Sequence, residues 1–391
     1  MCIGPAHVAN SFKDRNLRDL GKVYIHKRRL ALDMEPPKPK FTYKTVLFPL
    51  LGLAGFFIYI YFFQVDIVGI IATAQTANPL IFGLAAACGL LEIFFFTLSW
   101  HVLTTPLDIK MTLKKAFLYV WYGIYVDILI PAESISGEIT RAYLLTRDRC
   151  GSFGKAMASL FTQRLLGMAL NVAALVVGVA LLVFEGQGSG FVFNLIIFVA
   201  IAIALITAVS TVFVFKKNWL LKAIEWIVRV VDKISRGRWK FDLKEKALEI
   251  TNHFHDSMIE YKRNPRSLIK SMIYLVGSWF FSLSVPYLVF QALGHPVPWS
   301  VILITSAIVL TIKSIPVGIP FEVGIPEAAM TTLFLVMGVD AALSATATIL
   351  TRIITMWFRF FIGFVAQQYL ELKPAIVDDK YNKTKNELTP T

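Results

Sequence analysis

The sequence predicts an all-α polytopic membrane protein with about eight hydrophobic segments, which form six full spans plus two broken or re-entrant hairpins in an inverted 4+4 repeat. Three observations lead to this prediction. Hydrophobic residues make up 56% of the 391 residues, and the mean hydropathy of +0.63 exceeds that of soluble globular chains. Long apolar runs recur along the chain, and one arrangement of charged residues occurs twice among these runs.

The predicted spans are the longest apolar runs. A helix needs about 20 apolar residues to cross a hydrocarbon core of roughly 30 Å. The runs that approach or exceed this length are Val46–Phe63, Leu80–Val102, Ala156–Phe184, Phe191–Val214, Leu268–Leu293 and Ala341–Leu370. Two shorter runs, Phe117–Ile130 and Val301–Ile312, end just before the repeated charged motif. We expect each of them to form half of a hairpin that returns to the side it entered from.

The repeated motif has the form Pro-x-Glu-x4-Glu. Its glutamates are Glu133 and Glu138 in the first copy and Glu322 and Glu327 in the second. An arginine inside an apolar run follows each copy, 26 residues after the last glutamate in the first and 25 residues after it in the second. These arginines are Arg164 and Arg352. Because charged residues are costly inside a membrane, their repetition indicates a functional internal repeat.

Prolines and glycines concentrate at the two motifs. Proline removes a backbone donor and clashes with the preceding helical turn, so a continuous helix is not expected there. The predicted hinge and turn residues are Pro131, Gly137, Pro316, Gly318, Pro320, Gly324 and Pro326. A broken helix is tolerated at membrane depth where it packs against protein or lines a wet cavity. We therefore expect the two breaks to converge near the membrane midplane.

The basic residues predict the orientation of the chain. Lys and Arg number ten in residues 1–44, three in 104–116, four in 141–155 and thirteen in 216–266, whereas the links at 64–79, 185–190 and 294–300 hold none. Basic loops mark the cytoplasmic face. We therefore expect a multi-pass cell-membrane protein with cytoplasmic N- and C-termini. The net charge of +13 is attributed to this topology and to anionic lipid headgroups at that face, and not to nucleic acid.

This orientation divides the chain into three predicted regions. Residues 1–44 form a basic cytoplasmic arm, and residues 371–391 form a short cytoplasmic tail. Residues 45–370 form the transmembrane domain, with repeat 1 over about 45–184 and repeat 2 over about 190–370. A basic amphipathic insert at 216–266 interrupts the second repeat, and its first residues are typical of a helix that lies on the membrane surface.

The two arginines define the candidate site. Arg164 lies roughly 12 Å into its run from the inside, and Arg352 roughly 17 Å into its run from the outside. An arginine at that depth costs about 2.5–3.5 kcal/mol, so each one requires a carboxylate or an anionic ligand. The candidates for headgroup binding are Glu133, Glu138, Arg141, Arg164, Glu322, Glu327 and Arg352, and secondary candidates are Glu92, Asp127, Gln163, Lys313 and Arg359. Structural ion pairing alone is the competing interpretation of both arginines.

These motifs resemble the lysylphosphatidylglycerol synthase transmembrane family, the flippase-like domain of bacteria and archaea. The resemblance rests on Pro131-x-Glu-x3-Gly-Glu-x2-Arg141, on Arg164, and on the later Pro-x-Gly-x-Pro-x-Glu-x-Gly-x-Pro-Glu stretch with Gly338 and Arg352. It implies lipid translocation. Bifunctional synthases of the family also carry a soluble aminoacyl-transferase domain, for which the 19 residues after Leu372 are too few. Archaeal relatives link the resemblance to lipid-carried sugars.

The predicted function is therefore a flippase or transporter that moves a charged lipid or a polyprenyl-phosphate-linked sugar headgroup by alternating access. No catalytic residue, cofactor or metal is assigned, and we do not expect an enzyme. The expected partners are membrane phospholipids or lipid-linked sugars; a partner synthase or glycosyltransferase and self-association are left open. Two alternatives remain. They are a membrane-embedded transferase that uses a lipid-phosphate donor, which the short outer loops disfavour, and a non-transporting partner subunit.

Overall fold

A computed structural model describes residues 72, 75–130, 135–186, 189–215, 254–313 and 324–371, all within one compact unit that spans residues 48–391. Regular structure in these ranges is helical, and no strand occurs in them. The helices are α1 (Pro79–Thr104), α2 (Leu113–Leu129), α3 (Ile135–Arg147), α4 (Phe153–Phe184), α5 (Phe191–Phe215), α6 (Pro265–Ala292), α7 (Trp299–Lys313), α8 (Ile325–Val336) and α9 (Ala341–Arg352). A further helix covers residues 254–263, and α9 continues through a π-helical segment, Ile353–Phe358, to residue 371.

Four of the predicted spans are helices long and apolar enough to cross a membrane. They cover Pro79–Leu107, Phe153–Phe184, Pro265–Ala292 and Ala341–Glu371. The fifth predicted span is the 25-residue helix α5, and Val46–Phe63 lies outside the described residues. The prediction of an all-α polytopic membrane protein is confirmed.

Polar caps set where several helices begin. The Asn78 side chain accepts hydrogen bonds from the backbone N–H groups of the first turn of α1, and the Asp340 side chain does the same for α9. Thr112 and Ser152 cap α2 and α4 in the same way. These oxygens satisfy donors that have no partner within the helix, so each long apolar run starts at a defined residue.

Helices α1 and α6 form an antiparallel pair at the centre of the fold. The Asn78 backbone N–H donates to the carbonyl of Ala292 at 2.8 Å, at one end of the pair. Ser278 donates to the Glu92 carbonyl at 3.0 Å in the middle, and the Ser99 and Ser271 hydroxyls lie 2.7 Å apart near the other end. Small hydroxyl side chains thus allow close approach and satisfy their own hydrogen bonds within the membrane.

The two half-helix pairs open at opposite ends of this central pair. Hairpin 1, formed by α2 and α3, starts and finishes where α1 ends, because the Lys110 N–H donates to the Cys150 carbonyl at 3.0 Å. Hairpin 2, formed by α7 and α8, starts and finishes where α6 ends, and Val297 and Met337 pack there in one cluster. Since α1 and α6 run in opposite directions, the hairpins are inverted with respect to each other.

Each hairpin has its own hydrophobic core. The core beside hairpin 1 contains the fully buried Trp100, Tyr119 and Trp121. The core beside hairpin 2 contains Phe290 and Phe334, whose rings meet edge to face with 5.0 Å between centroids. A third cluster, which includes Leu175, Ile196 and Ile304, joins α4, α5 and α7.

The two repeats interlock through their last spans. Helix α4 of repeat 1 packs against α7 of repeat 2, where Asn171 donates to the Ala307 carbonyl at 3.2 Å and to the Thr311 hydroxyl at 3.0 Å. The extension of α9 in repeat 2 packs against α2 of repeat 1, where the Tyr125 ring contacts the rings of Phe360 and Phe364. Each hairpin is thus contacted by a span of the other repeat.

Candidate functional site

The first motif forms the ion pair that the sequence predicts. Arg164 Nη1 donates to Glu138 Oε1 at 3.3 Å, which joins α4 to α3 of hairpin 1. The Arg164 side chain is 24% exposed and that of Glu138 is 10% exposed. The pair therefore retains access to the surroundings of the protein.

The second motif forms the equivalent pair in a closed environment. Arg352 Nε donates to Glu327 Oε1 at 2.5 Å, and the side chains are 8% and 2% exposed. The other oxygen of Glu327 accepts from the Gly324 N–H at 2.7 Å, and Arg352 Nη2 lies 3.0 Å from the Met356 sulfur. Gly324 precedes α8 with φ of +100°, a conformation that favours glycine.

The two arginines are placed equivalently within their helices. Arg164 follows the first residue of α4, Phe153, by eleven positions, and Arg352 follows the first residue of α9, Ala341, by eleven positions. At 1.5 Å per residue both lie about 17 Å along the helix, and α4 and α9 start at opposite ends of the bundle. The two arginines therefore approach from opposite ends, as the sequence predicts. The depth predicted for Arg164, roughly 12 Å, is too small because α4 begins at Phe153, before the apolar run that starts at Ala156.

Arg141 lies next to the first pair and has a different environment. Its guanidinium carbon is 5.6 Å from the ring centroid of Phe96 and 5.4 Å from that of Trp100. Cation–π contacts of this kind hold the planar group between aromatic side chains. The residue is only 7% exposed, and its Nη1 has no hydrogen-bond partner among the described residues.

Asp127 fastens the two halves of hairpin 1 together. Its Oδ1 accepts from the Ser136 hydroxyl at 2.7 Å and from the Gly137 N–H at 2.6 Å, in the first turn of α3. A carboxylate is favoured there by the unpaired N–H groups of the helix terminus. Gly137, predicted as a hinge, lies inside α3 instead, and a Cβ atom there would lie 2.1 Å from Asp127 Oδ2.

Glu92 and Arg359 form a third ion pair, which links the two repeats. Arg359 Nη2 donates to Glu92 Oε2, and Glu92 lies near the middle of α1. Sequence reasoning named both residues but did not pair them, since they are 267 positions apart. Arg359 follows Arg352 by seven positions, as Asn171 follows Arg164. Asn171 is not among the candidates predicted from the sequence. Its position seven residues after Arg164, which matches that of Arg359 after Arg352, is the signal that could have identified it.

The remaining candidates are placed as follows. Gln163 donates to the Phe96 carbonyl at 2.8 Å and so joins α4 to α1. Lys313 is the last residue of α7, where the helix carbonyls favour a cation. Pro326 lies in the first turn of α8. Outside the described residues lie Glu133, Glu322, Pro131, Pro316, Gly318 and Pro320.

The chemistry available at this site is binding by charge. Among the residues that the structure describes, no group of three or more His, Cys, Asp or Glu side chains could hold a metal ion. Guanidinium groups keep their charge and pair with carboxylate or phosphate through parallel hydrogen bonds. Arg141 and Arg164 present such groups beside Glu138, and Asp127 is also near Arg141.

Comparison with known proteins supports the relationship that the motifs suggest. The pattern of the lysylphosphatidylglycerol synthase transmembrane region matches residues 48–363. A UPF0104 membrane protein of Pyrococcus horikoshii is 24% identical over 70% of this chain and 82% of its own length. A UPF0104 membrane protein of Methanocaldococcus jannaschii is 23% identical over 88% of this chain and 99% of its own length. A UPF0104 membrane protein of Methanothermobacter thermautotrophicus is 23% identical over 75% of this chain and 87% of its own length.

The matched region includes both hairpins, the central helices α1 and α6, and all three ion pairs. The chain belongs to the lysylphosphatidylglycerol synthase transmembrane family.

Proposed function

We propose that this protein is a lipid flippase, which moves a charged lipid or a polyprenyl-phosphate-linked sugar headgroup across the bilayer by alternating access. The observation that carries the proposal is the inverted pair of hairpins, each with an arginine–carboxylate pair about 17 Å along the adjoining span. Inverted repeats with broken helices are the architecture of many secondary transporters, whose substrate sites lie at the repeat interface.

The interlocking of the repeats supports this mechanism. Ion pairs and hydrogen bonds between the repeats, such as Glu92–Arg359 and Asn171–Thr311, are polar contacts within an otherwise apolar bundle. Movement of one repeat against the other would exchange such contacts while the hairpins keep their own cores. A headgroup bound between the repeats would then be exposed at each end of the bundle in turn.

The orientation is part of the proposal. The basic segments predict that hairpin 1 opens towards the cytoplasm and hairpin 2 towards the outside, with both chain termini inside. A cysteine introduced at Lys246 is then protected from a membrane-impermeant maleimide added to intact cells, and one at Gln187 is modified. Modification of position 246 from outside would contradict this topology.

The proposed function is tested with purified protein in proteoliposomes. The probes are fluorescently labelled phosphatidylglycerol and, in parallel, a short-chain polyprenyl-phosphate-linked sugar, and the measurement is the fraction of probe that changes leaflet with time. We expect the wild-type protein to accelerate movement of at least one probe relative to empty liposomes. Arg164→Gln removes the charge of the accessible pair, and we expect its rate to fall roughly tenfold or more.

The matched control is Arg263→Gln, which removes an exposed arginine whose side chain is 75% accessible and pairs with Glu260 on its own helix. We expect this variant to move lipid at the wild-type rate, with both variants monodisperse in detergent. A folded Arg164→Gln protein with the wild-type rate would make the pair a scaffold. Formation of a new product from donor lipid and acceptor, without movement, would favour a transferase.

A further inference from the structure

The hydrogen bonds around hairpin 1 leave one cationic donor, Arg141 Nη1, without a partner among the described residues. Two guanidinium groups, Arg141 and Arg164, lie beside the carboxylate of Glu138, which accepts one hydrogen bond from Arg164. The other nearby carboxylate, Asp127, is engaged by the Ser136 hydroxyl and the N-terminal backbone of α3. Among the residues that the structure describes, Asp127 and Glu138 balance the two cations in charge, but Asp127 is already held by the N-terminus of α3, which leaves Glu138 as the carboxylate that both cations approach.

Arg141 is the unusual member of this group. Arginine carries five N–H donors and no acceptor, and leaving a buried donor without a partner is unfavourable. The rings of Phe96 and Trp100 fix the plane of the Arg141 guanidinium but offer no oxygen to its in-plane Nη1 donor. Arg141 is only 7% exposed. The edge of its guanidinium group that carries Nη1 is therefore complementary to the oxygen of an anion.

Hairpin 2 has no counterpart of Arg141 among the described residues. Arg352 is matched by Glu327, and both oxygens of that carboxylate accept hydrogen bonds from described residues. The position that corresponds to Arg141, three residues after the last motif glutamate, is the buried Met330. The two motifs are thus equivalent in their ion pair and different in their remaining charge.

We propose that the protein binds a phosphate group in repeat 1 alone, between the guanidinium groups of Arg141 and Arg164, while the Arg352–Glu327 pair stays closed as a structural element. The inference rests on the proposed function and deepens it. One phosphate oxygen accepts from Arg141 Nη1, and a second accepts from Arg164 as Glu138 is displaced. Guanidinium–phosphate pairs of this kind are strong and geometrically specific.

Binding is tested on the purified full-length protein in detergent by isothermal titration calorimetry, which needs no transport. The probes are dihexanoyl phosphatidylglycerol, inorganic phosphate, and dihexanoylglycerol as the phosphate-free lipid. We expect one phosphate-bearing probe bound per chain and no binding of dihexanoylglycerol. Arg141→Met introduces the residue that repeat 2 carries at this position, and we expect phosphate binding to weaken roughly 10- to 100-fold.

A second variant, Arg141→Lys, keeps the charge and removes the planar fork, so we expect it to weaken binding as well, although less. It provides the test if Arg141→Met does not fold, and Arg263→Gln serves as the folded control with unchanged affinity. A lipid probe that binds more tightly than inorganic phosphate identifies a headgroup as the ligand. Equal affinities identify phosphate itself.

Three results would overturn the inference: two phosphates bound per chain, no binding of either phosphate probe, or wild-type affinity in a folded Arg141 variant. The failure of this inference is distinguishable from the failure of the proposed function. Lipid movement by the wild-type protein together with unaltered binding by the Arg141 variants would remove the repeat 1 site and leave the flippase function standing.

Discussion

Hairpins 1 and 2 carry the same motif, with a carboxylate and an arginine at nearly the same spacing, yet the two ion pairs have different surroundings. The pair at hairpin 1 is longer and partly accessible, and that at hairpin 2 is short and buried. An accessible pair can exchange its partner for a ligand, whereas a buried pair that breaks leaves an uncompensated charge. This difference supports our proposal that exchange for a ligand takes place at hairpin 1, while the pair at hairpin 2 is structural.

The neighbours of the two arginines account for the difference. Arg164 lies in a regular helix and is preceded by Gln163, whose amide is used to join α4 to α1. Arg352 is followed by a π-helical segment, which brings the Met356 sulfur against its guanidinium group. π-helical turns are rare and frequently occur at functional sites. A few residues around each motif therefore determine whether its ion pair is partly accessible or buried.

The largest expected effect comes from breaking the closed pair. Arg352→Gln leaves the Glu327 carboxylate buried without its cation, and we expect a loss of about 3–5 kcal/mol in the free energy of unfolding. We expect Arg164→Gln to lower the free energy of unfolding by less than half as much, because the Arg164–Glu138 pair is partly solvated. Thermal unfolding of both variants in the same detergent measures the difference, and equal losses would contradict the comparison.

The double variant Glu327→Gln/Arg352→Gln is the control for this prediction. It removes both charges, so we expect it to be more stable than Arg352→Gln alone, and the non-additivity gives the coupling energy of the pair. The same cycle for Glu138 and Arg164 should yield a smaller coupling energy. A larger coupling energy for Glu138 and Arg164 than for Glu327 and Arg352 would contradict the description of the hairpin 2 pair as the buried, structural one.

An intermediate effect is expected from the tight packing inside hairpin 1. Gly137→Ala places a Cβ atom 2.1 Å from Asp127 Oδ2 and 2.6 Å from the Gly123 carbonyl oxygen, so we expect about 1–3 kcal/mol of destabilisation. Gly167→Ala in α4 is the matched control, because nothing lies within 4 Å of the added atom. We expect that variant to gain about 0.5–1 kcal/mol. Equal melting temperatures for the two would show that hairpin 1 adjusts freely.

The smallest effect concerns the open end of hairpin 1, where ion pairs hold the chain together. Lys115 Nζ lies 3.4 Å and Arg147 Nε 3.3 Å from the Asp148 carboxylate, and Tyr119 donates to it. Burial alone would raise the pKa of Asp148, but the hydrogen bond and the two cations lower the pKa below its ordinary value of 3.8.

A carboxyl group with a lowered pKa stabilises the fold above its ordinary pKa, and this contribution is lost as the pH falls below 3.8. When the pH is lowered from about 5 to about 3, the free energy of unfolding should decrease in both the wild-type protein and Asp148→Asn. We expect the decrease to be larger in the wild-type protein, by up to about 1 kcal/mol. Melting temperatures across that range measure it. Parallel curves for the two proteins would show that these ion pairs contribute nothing.

Local pattern was sufficient to predict most of the architecture. Apolar runs predicted α1, α4, α6 and α9, because a helix that satisfies its own backbone is the only spanning structure that such a run can form. The short runs before each motif predicted α2 and α7. The two motif pairs followed from spacing, since a deep arginine requires a carboxylate and each repeat supplies its own.

Interactions between distant segments could not be predicted in this way. Glu92 and Arg359 are each plausible surface or pore residues, and only the packing of the extension of α9 against α1 brings them together. The same holds for Asn171 against α7 and for Phe96 and Trp100 around Arg141. No local periodicity encodes which face of one helix meets which face of another.

The sequence by itself therefore determined the membrane class, the repeat, the inverted sense of the hairpins and the identity of both motif pairs, because these depend on length, hydropathy and spacing. Tertiary structure alone decided that one pair is accessible and the other closed, that Arg141 has an unpartnered donor among the described residues, and that the repeats interlock. Burial and hydrogen-bond satisfaction depend on all the neighbours of a side chain, and those neighbours come from helices far apart in the chain.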